Sequence, residues 1–177
     1  MIKVVEYNPA WRIEFETEAR QISSALGELL ARLHHIGSTA IPGIYAKPIV
    51  DFLIEVQDIS ALDDCTPRMK HLGYEAMGEF GIAGRRYFRK NDSAGVRTHH
   101  VHAFGSGNIE IERHLAFRDY MIAHPAEAKR YGELKRRLAQ EHPNDMDAYM
   151  DGKDPFIKER QARAIGWRWS QSRHNGS

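Results

Sequence analysis

The stretch His35-Ile36-Gly37-Ser38-Thr39-Ala40-Ile41-Pro42-Gly43-Ile44-Tyr45-Ala46-Lys47-Pro48-Ile49-Val50-Asp51-Phe52-Leu53-Ile54-Glu55-Val56 decides how this chain is read. Its second half, Ile49 to Val56, is an almost continuous apolar run, rich in β-branched residues and preceded by a proline, which predicts a strand buried on both faces. Asp51 interrupts that run. An ionised carboxylate buried without a partner costs on the order of several kcal/mol, so a metal ion, a cation such as Lys47, or exposure at the strand end must compensate it. Strand alternation puts Asp51, Leu53 and Glu55 on one face. The first half carries two glycines and two small hydroxyl residues. At a turn, the unscreened backbone N–H groups of Gly37, Ser38 and Thr39 can hold phosphate oxygens; a plain glycine turn with Ser38 or Thr39 as a helix N-cap is the other reading. The spacing fits neither GxxxxGK[ST] nor GxGxxG, which sets aside the P-loop and dinucleotide folds.

Working outward, Trp11 to Leu33 follows the turn signal Asn8-Pro9 and places Ile13, Ala19, Ile22, Ala25, Leu26, Leu29, Leu30 and Leu33 at three- and four-residue spacing. This predicts an amphipathic helix over 11–33. Ala61 to Leu72 has helical spacing and stops at Gly73, so a strand–helix unit is expected. From Tyr74 to Phe104 the text turns β-like, with a hairpin around Asn91 to Gly95. Residues from about Ile111 to Gly166 read as three helices, with His124-Pro125, His142-Pro143 and Asp154-Pro155 as breaks near helix starts. The expected architecture is α+β, a mixed α/β arrangement in which a small mixed sheet is flanked by an N-terminal helix and C-terminal helices. One domain is expected over 1–170, with 171–177 as a frayed tail.

In Thr98-His99-His100-Val101-His102-Ala103-Phe104, alternation sends His100 and His102 to one face and His99 with Val101 to the other. Two imidazoles at i and i+2 on a strand can chelate one metal ion, or act as acid and base. In Arg85-Arg86-Tyr87-Phe88-Arg89-Lys90, Arg86, Phe88 and Lys90 point one way and Arg85, Tyr87 and Arg89 the other. One of these faces could meet phosphates, or the strand could be a solvated edge protected by charge.

Composition bounds the function classes. The chain has 177 residues, of which 42% are apolar and 28% charged, enough for a packed core. A formal charge of +1 is too balanced for the basic field that drives non-specific nucleic-acid or membrane binding, so an anionic ligand must be held by a local cluster. Cys65, the single cysteine, excludes an intrachain disulfide and a Cys-pair zinc site. No run of 18 apolar residues occurs, and Glu6, Arg12 and Glu14 stand where a signal peptide needs apolar residues. A cytoplasmic protein with no membrane partner is expected, and nucleic acid is not an expected partner.

The blocks HIGSTAIPG, AKPIVDFLIEV, THHVHAF, HLAFRDYMIAHP, and YGELKRRLA with YMDGKDPFI, in this order, closely resemble the signature blocks of the GrpB family, from EYNPAWRIEFE to about Arg163. That resemblance implies the nucleotidyltransferase superfamily, whose signature is Gly-Ser followed by a strand bearing metal-binding carboxylates. Gly37 and Ser38 match the first element and Asp51 the first carboxylate. Leu53 stands where the second is expected, and His34 where the family more usually has an acidic residue. A single aspartate with a His-x-His strand is itself the pattern of the family. The implied function is a metal-dependent nucleotidyltransferase-like protein acting on a nucleoside triphosphate and an acceptor. Asp51, His100 and His102 would be its catalytic and metal residues, for Mg, Mn or Zn. Gly37, Ser38, Thr39, Lys47, Arg86, Arg118, Lys135 and Lys153 would bind substrate, a nucleotide or other phosphorylated small molecule. Arg118, at the margin of the apolar stripe of its helix, is expected to reach the cleft. A non-catalytic nucleotide or phosphate-binding module and a histidine-based phosphate-ester hydrolase are the competing readings.

Overall fold

A computed structural model describes residues 1–176. Among them, five strands form one mixed sheet in the order β1-β2-β5-β4-β3, covered by helices on both faces. The first helix, α1 (Ala10–Leu26), starts where the Asn8 side chain accepts the Ala10 amide at 3.0 Å. It ends at Gly27, whose φ of 55° no longer belongs to the helix. The expected continuation to Leu33 is therefore corrected: Leu30–Ile36 is strand β1. A register shift between Leu30 and Arg32 turns both Leu30 and Leu33 onto the core that α1 covers. The irregularity imitates helical spacing in the sequence.

Strand β2 (Val50–Val56) follows the loop that contains Pro42 and Pro48, as its apolar run predicts. The helix expected over 61–72 is two helices, α2 (Ile59–Asp64) and α3 (Thr66–His71), because the chain restarts at Cys65 with Pro67 in the first turn of α3. Strand β3 (Tyr74–Ala76) pairs antiparallel with β4 (Arg86–Asn91), and β4 turns through Asp92–Val96 into β5 (Arg97–Gly105), the expected hairpin. Strand β5 then runs parallel to β2, with Asp51 opposite His100 and Leu53 opposite His102.

Three helices complete the chain: α4 (Ile109–Ala123), α5 (Pro125–Glu141) and α6 (Met146–His174). Pro125 opens α5, where its missing N–H costs nothing. The break expected at Asp154-Pro155 is absent, since α6 runs through Pro155. Residues 171–174, read from sequence as frayed, also belong to α6, and Ser177 lies outside the described residues. No helix among the described residues is long and apolar enough to cross a membrane.

Alternation in β2 divides the interior into two layers. Phe52, Ile54 and Val56 pack with Val101, Ala103 and Phe88 under Trp11, Ile22 and Leu26 of α1. On the other face Leu53 packs with Ile36 and Phe104 under Ile111 and Leu115 of α4. Helix α5 lies hard against the loop before β2: a Cβ on Gly132 would stand 2.9 Å from the Tyr45 amide nitrogen. This close approach brings its neighbours Tyr131 and Lys135 over the start of β2.

Candidate functional site

At the head of β2, Asp51 leaves the apolar layer and faces α5 and α6 across a cavity of about 340 Å³. Gly37, Ser38, Lys47, Asp51, His100, His102, Lys135 and Lys153 all line it. Residues from one loop, two central strands and two helices thus converge, as the need of Asp51 for a partner required.

That partner is the histidine strand. Asp51 Oδ1 lies 3.3 Å from His100 Nδ1 and 3.2 Å from His102 Nε2. Burial pushes the carboxyl up, but hydrogen bonds from both imidazoles and their charge outweigh it and hold Asp51 well below the usual carboxylate range. The three residues offer ligand atoms within 4.8 Å of one another, compact enough for one cation. Leu53, where a second carboxylate would stand, is fully buried in the apolar layer under α4, so no second ion could be held there.

Gly37 sits directly on this carboxylate. Its φ is +72° with ψ −173°, a region open essentially to glycine alone, and a Cβ would stand 2.6 Å from Asp51 Oδ2. The glycine of the Gly-Ser pair is thus required by contact with the aspartate 14 residues later in the chain, as well as by its turn.

The far wall is basic and aromatic. Lys135 is 2% exposed, its Nζ has no hydrogen-bond partner, and it lies 4.4 Å from the centre of the Tyr131 ring. Lys47 and Lys153 lie 5.3 and 5.0 Å from the Tyr149 ring. Among the described residues the salt-bridged lysines are Lys90 and Lys158, so none of these three is neutralised by a carboxylate. Burial, reinforced by Lys153 and Lys47, drives the Lys135 ammonium well below its ordinary value; burial and Lys47 bring Lys153 down to about 8, with Asp51 opposing in both cases. The Tyr149 hydroxyl is buried without a partner as well. An apolar cavity would not hold such groups; an anionic, oxygen-rich ligand would satisfy them.

Three expected binding residues lie elsewhere. Thr39 is 2% exposed and hydrogen-bonded to His35 Nε2 at 2.9 Å. Arg86 is on the α2 face of β4, with Asp63 at 2.7 and 3.2 Å, because strand alternation sends Arg85 and Tyr87 toward the histidines instead. Arg118 donates to the His35 carbonyl at 3.1 Å and to Asp119, and borders a neighbouring cavity with Thr39. Its position at the stripe margin turns it toward β1 rather than Asp51. His34 pairs across the strands with Glu55 at 2.7 Å.

The sequence reading missed Tyr131, Tyr149, His114 and Gln161 in the lining. A signal for the tyrosines was present: Tyr131–Lys135 and Tyr149–Lys153 are both spaced i, i+4, one helical turn, which stacks each ring beside its ammonium. His114 packs 5.8 Å from the His102 ring, and burial, with the charges of His102 and Arg113, pushes it down to about 3.

The family profile described as GrpB protein matches residues 1–163. The chain belongs to the GrpB family. It is 46% identical over 176 residues to UPF0157 protein YqkA of Bacillus subtilis, covering 99% of this chain and 51% of that protein, so it spans about half the length of that relative. It is 33% identical over 159 residues to the Glutamate-rich protein GrpB of Alkalihalophilus pseudofirmus, covering 88% of this chain and 91% of that protein. The crystal structure of conserved protein GrpB from Enterococcus faecalis superposes with a TM-score of 0.90 at 48% identity, over 94% of this chain and 99% of that one. Terminal uridylyl transferase 4 from Trypanosoma brucei, solved with bound dUTP, superposes at 0.53 with 12% identity, over 83% of this chain and 52% of that one. The GrpB fold is therefore of the nucleotidyltransferase type.

Proposed function

We propose that this GrpB protein is a cytoplasmic, metal-dependent nucleotidyltransferase-like enzyme that binds a nucleoside triphosphate and transfers its nucleotidyl group to an acceptor hydroxyl or amine. One observation carries the reading: Lys47, Lys135 and Lys153, unpaired with any carboxylate among the described residues, converge on the cavity that holds Asp51 and the Gly37-Ser38 turn. Three lysines around one cavity suit a polyphosphate, whose negative charge would favour their protonated forms against the burial that opposes them, and burial strengthens each contact so made.

The donor set fits one divalent cation, held by Asp51, His100 and His102. Two imidazoles with one carboxylate suit Mn²⁺ or Zn²⁺ better than Mg²⁺, which prefers oxygen ligands. When bound, the ion would polarise a phosphoryl oxygen. The protein's own groups do the rest. The backbone of Gly37 and Ser38 approaches the phosphates, the lysines neutralise charge on the departing diphosphate, and the tyrosine rings fix the lysines. The acceptor oxygen or nitrogen would attack the α-phosphorus in line. Its new bond to phosphorus replaces the bridging P–O bond, pyrophosphate leaves, and the acceptor's proton passes to solvent.

Titration calorimetry with nucleoside triphosphates in the presence of Mn²⁺, followed by an assay for pyrophosphate release, tests the reading. Binding that Lys135→Met abolishes, with release on adding an acceptor, supports it. Binding without release would favour the phosphate-binding module, and no triphosphate binding would sink both.

A further inference from the structure

We infer that Arg85 and Arg97 are positioning residues that set the tautomers of His102 and His100, directing both imidazole N–H groups at Asp51 and opposing cation capture by these three side chains. The inference rests on the cation reading above and adds to it what controls the site.

Each histidine presents one nitrogen to Asp51 and the other to a guanidinium. Arg85 Nη1 stands 3.4 Å from His102 Nδ1, and Arg97 Nη1 stands 3.4 Å from His100 Nε2. A guanidinium donates and never accepts, so each of these ring nitrogens must offer its lone pair. The proton of a neutral ring then lies on the other nitrogen: Nε2 of His102 and Nδ1 of His100. These are the two atoms 3.2 and 3.3 Å from Asp51 Oδ1. The chain of donors is complete from Arg85 through His102 to Asp51; on the other side Arg97 meets His100, whose Nδ1 stands in ion-pair contact with the same carboxylate oxygen at 3.3 Å.

Neither arginine is free to turn away without loss. Arg85 is 8% exposed, donates through Nε to the Glu79 carbonyl at 3.1 Å and through Nη2 to the Phe80 carbonyl at 2.7 Å. Arg97 donates to Asn91 Oδ1 at 2.7 Å. The arrangement is the reverse of the usual one around a metal, where the ligating histidine donates its second N–H to a carboxylate or carbonyl. For His102 to offer Nε2 to a cation, its proton must move to Nδ1, against the Arg85 donor; His100 meets the same conflict with Arg97. Two fixed positive charges beside the ligands also repel a dication.

The test needs no variant for its first part. Long-range proton–nitrogen correlation spectra of the wild-type histidine rings should show His102 protonated at Nε2 and His100 at Nδ1; the opposite tautomers would overturn the inference. Titrations with Mn²⁺ and Zn²⁺ alone form the second part. Arg85→Gln and Arg97→Gln supply an amide oxygen that can accept from the ring, and should bind about tenfold more tightly than wild type or better, the scale on which such outer partners act. Arg85→Lys and Arg97→Lys keep a donor that cannot accept and should stay at the wild-type affinity. Gln variants no tighter than wild type overturn the inference. In that case, wild-type binding abolished by Asp51→Asn would leave the cation reading standing, whereas no binding by any variant would remove both. The spectra cover the case in which an Arg85 variant fails to fold.

Discussion

Replacing Gly37 with alanine probes the tightest contact of the site. Two separate costs arise. The backbone at φ +72° and ψ −173° is close to forbidden for alanine, which costs about 1–3 kcal/mol. The new methyl would then stand 2.6 Å from Asp51 Oδ2 and 3.1 Å from Asp51 Cβ and Cγ, so the carboxylate must move. Moving it loosens at least one of its hydrogen bonds from His100 and His102, worth about 1.5–3 kcal/mol for a charged acceptor. Gly43→Ala provides the comparison, since Gly43 has φ +79° but nothing within 4 Å of a built Cβ. Both variants carry backbone strain, and only one carries the collision. The excess for Gly37→Ala, about 1.5–3 kcal/mol, corresponds to a melting temperature lower by about 3–12 °C than that of Gly43→Ala. Both proteins should remain folded, because a domain of this kind has about 5–15 kcal/mol of stability. Calorimetric melts read the difference, and cation and triphosphate titrations should show affinity lost in Gly37→Ala alone. If the two variants melt together and bind alike, the carboxylate is not held against the glycine and the reasoning fails.

Three further outcomes follow from the same geometry. Asp51→Asn keeps an acceptor oxygen for the histidines while removing the charge, so it should weaken cation binding far more than it lowers the melting temperature at pH 7. Because the folded carboxyl is depressed, its contribution to stability is present above the unfolded value of about 4 and is lost as pH falls below it. The melting gap between wild type and Asp51→Asn should therefore close in acid, and a constant gap refutes the assignment. Lys135→Met should remove triphosphate binding yet raise the melting temperature, since the buried ammonium has no hydrogen-bond partner. The folded amine binds protons more weakly than the unfolded one, so wild-type stability rises with pH through the depressed value toward about 10.4, and the gain from Met should be larger at pH 6 than at pH 10. Arg118→Lys should leave triphosphate affinity unchanged, because Arg118 is bound to the His35 carbonyl and Asp119; a fall in calorimetric affinity would return it to the site.

Much of the site was legible because period and burial cost are local properties. Strand alternation alone put His100 and His102 on one face, and an aspartate inside an apolar strand had to have a partner. The Gly-Ser turn and the apolar run after Pro48 are likewise written in consecutive residues. What only the tertiary structure decided depends on contacts between distant segments. The bulge in β1 made Leu30 and Leu33 look helical, and only pairing with β2 resolves it as a strand. The parallel register of β2 with β5 placed Asp51 opposite His100, and the packing of α5 and α6 brought Lys135 and Lys153, which the resemblance to the GrpB family had singled out, onto the same cavity as Asp51. Thr39, Arg86 and Arg118 had suitable chemistry, but each found a nearer partner that turned it away from the cavity. Side-chain type and spacing fix which groups can act together; the direction each one takes is set by the neighbours that long-range packing supplies, and these do not appear in any local stretch of sequence.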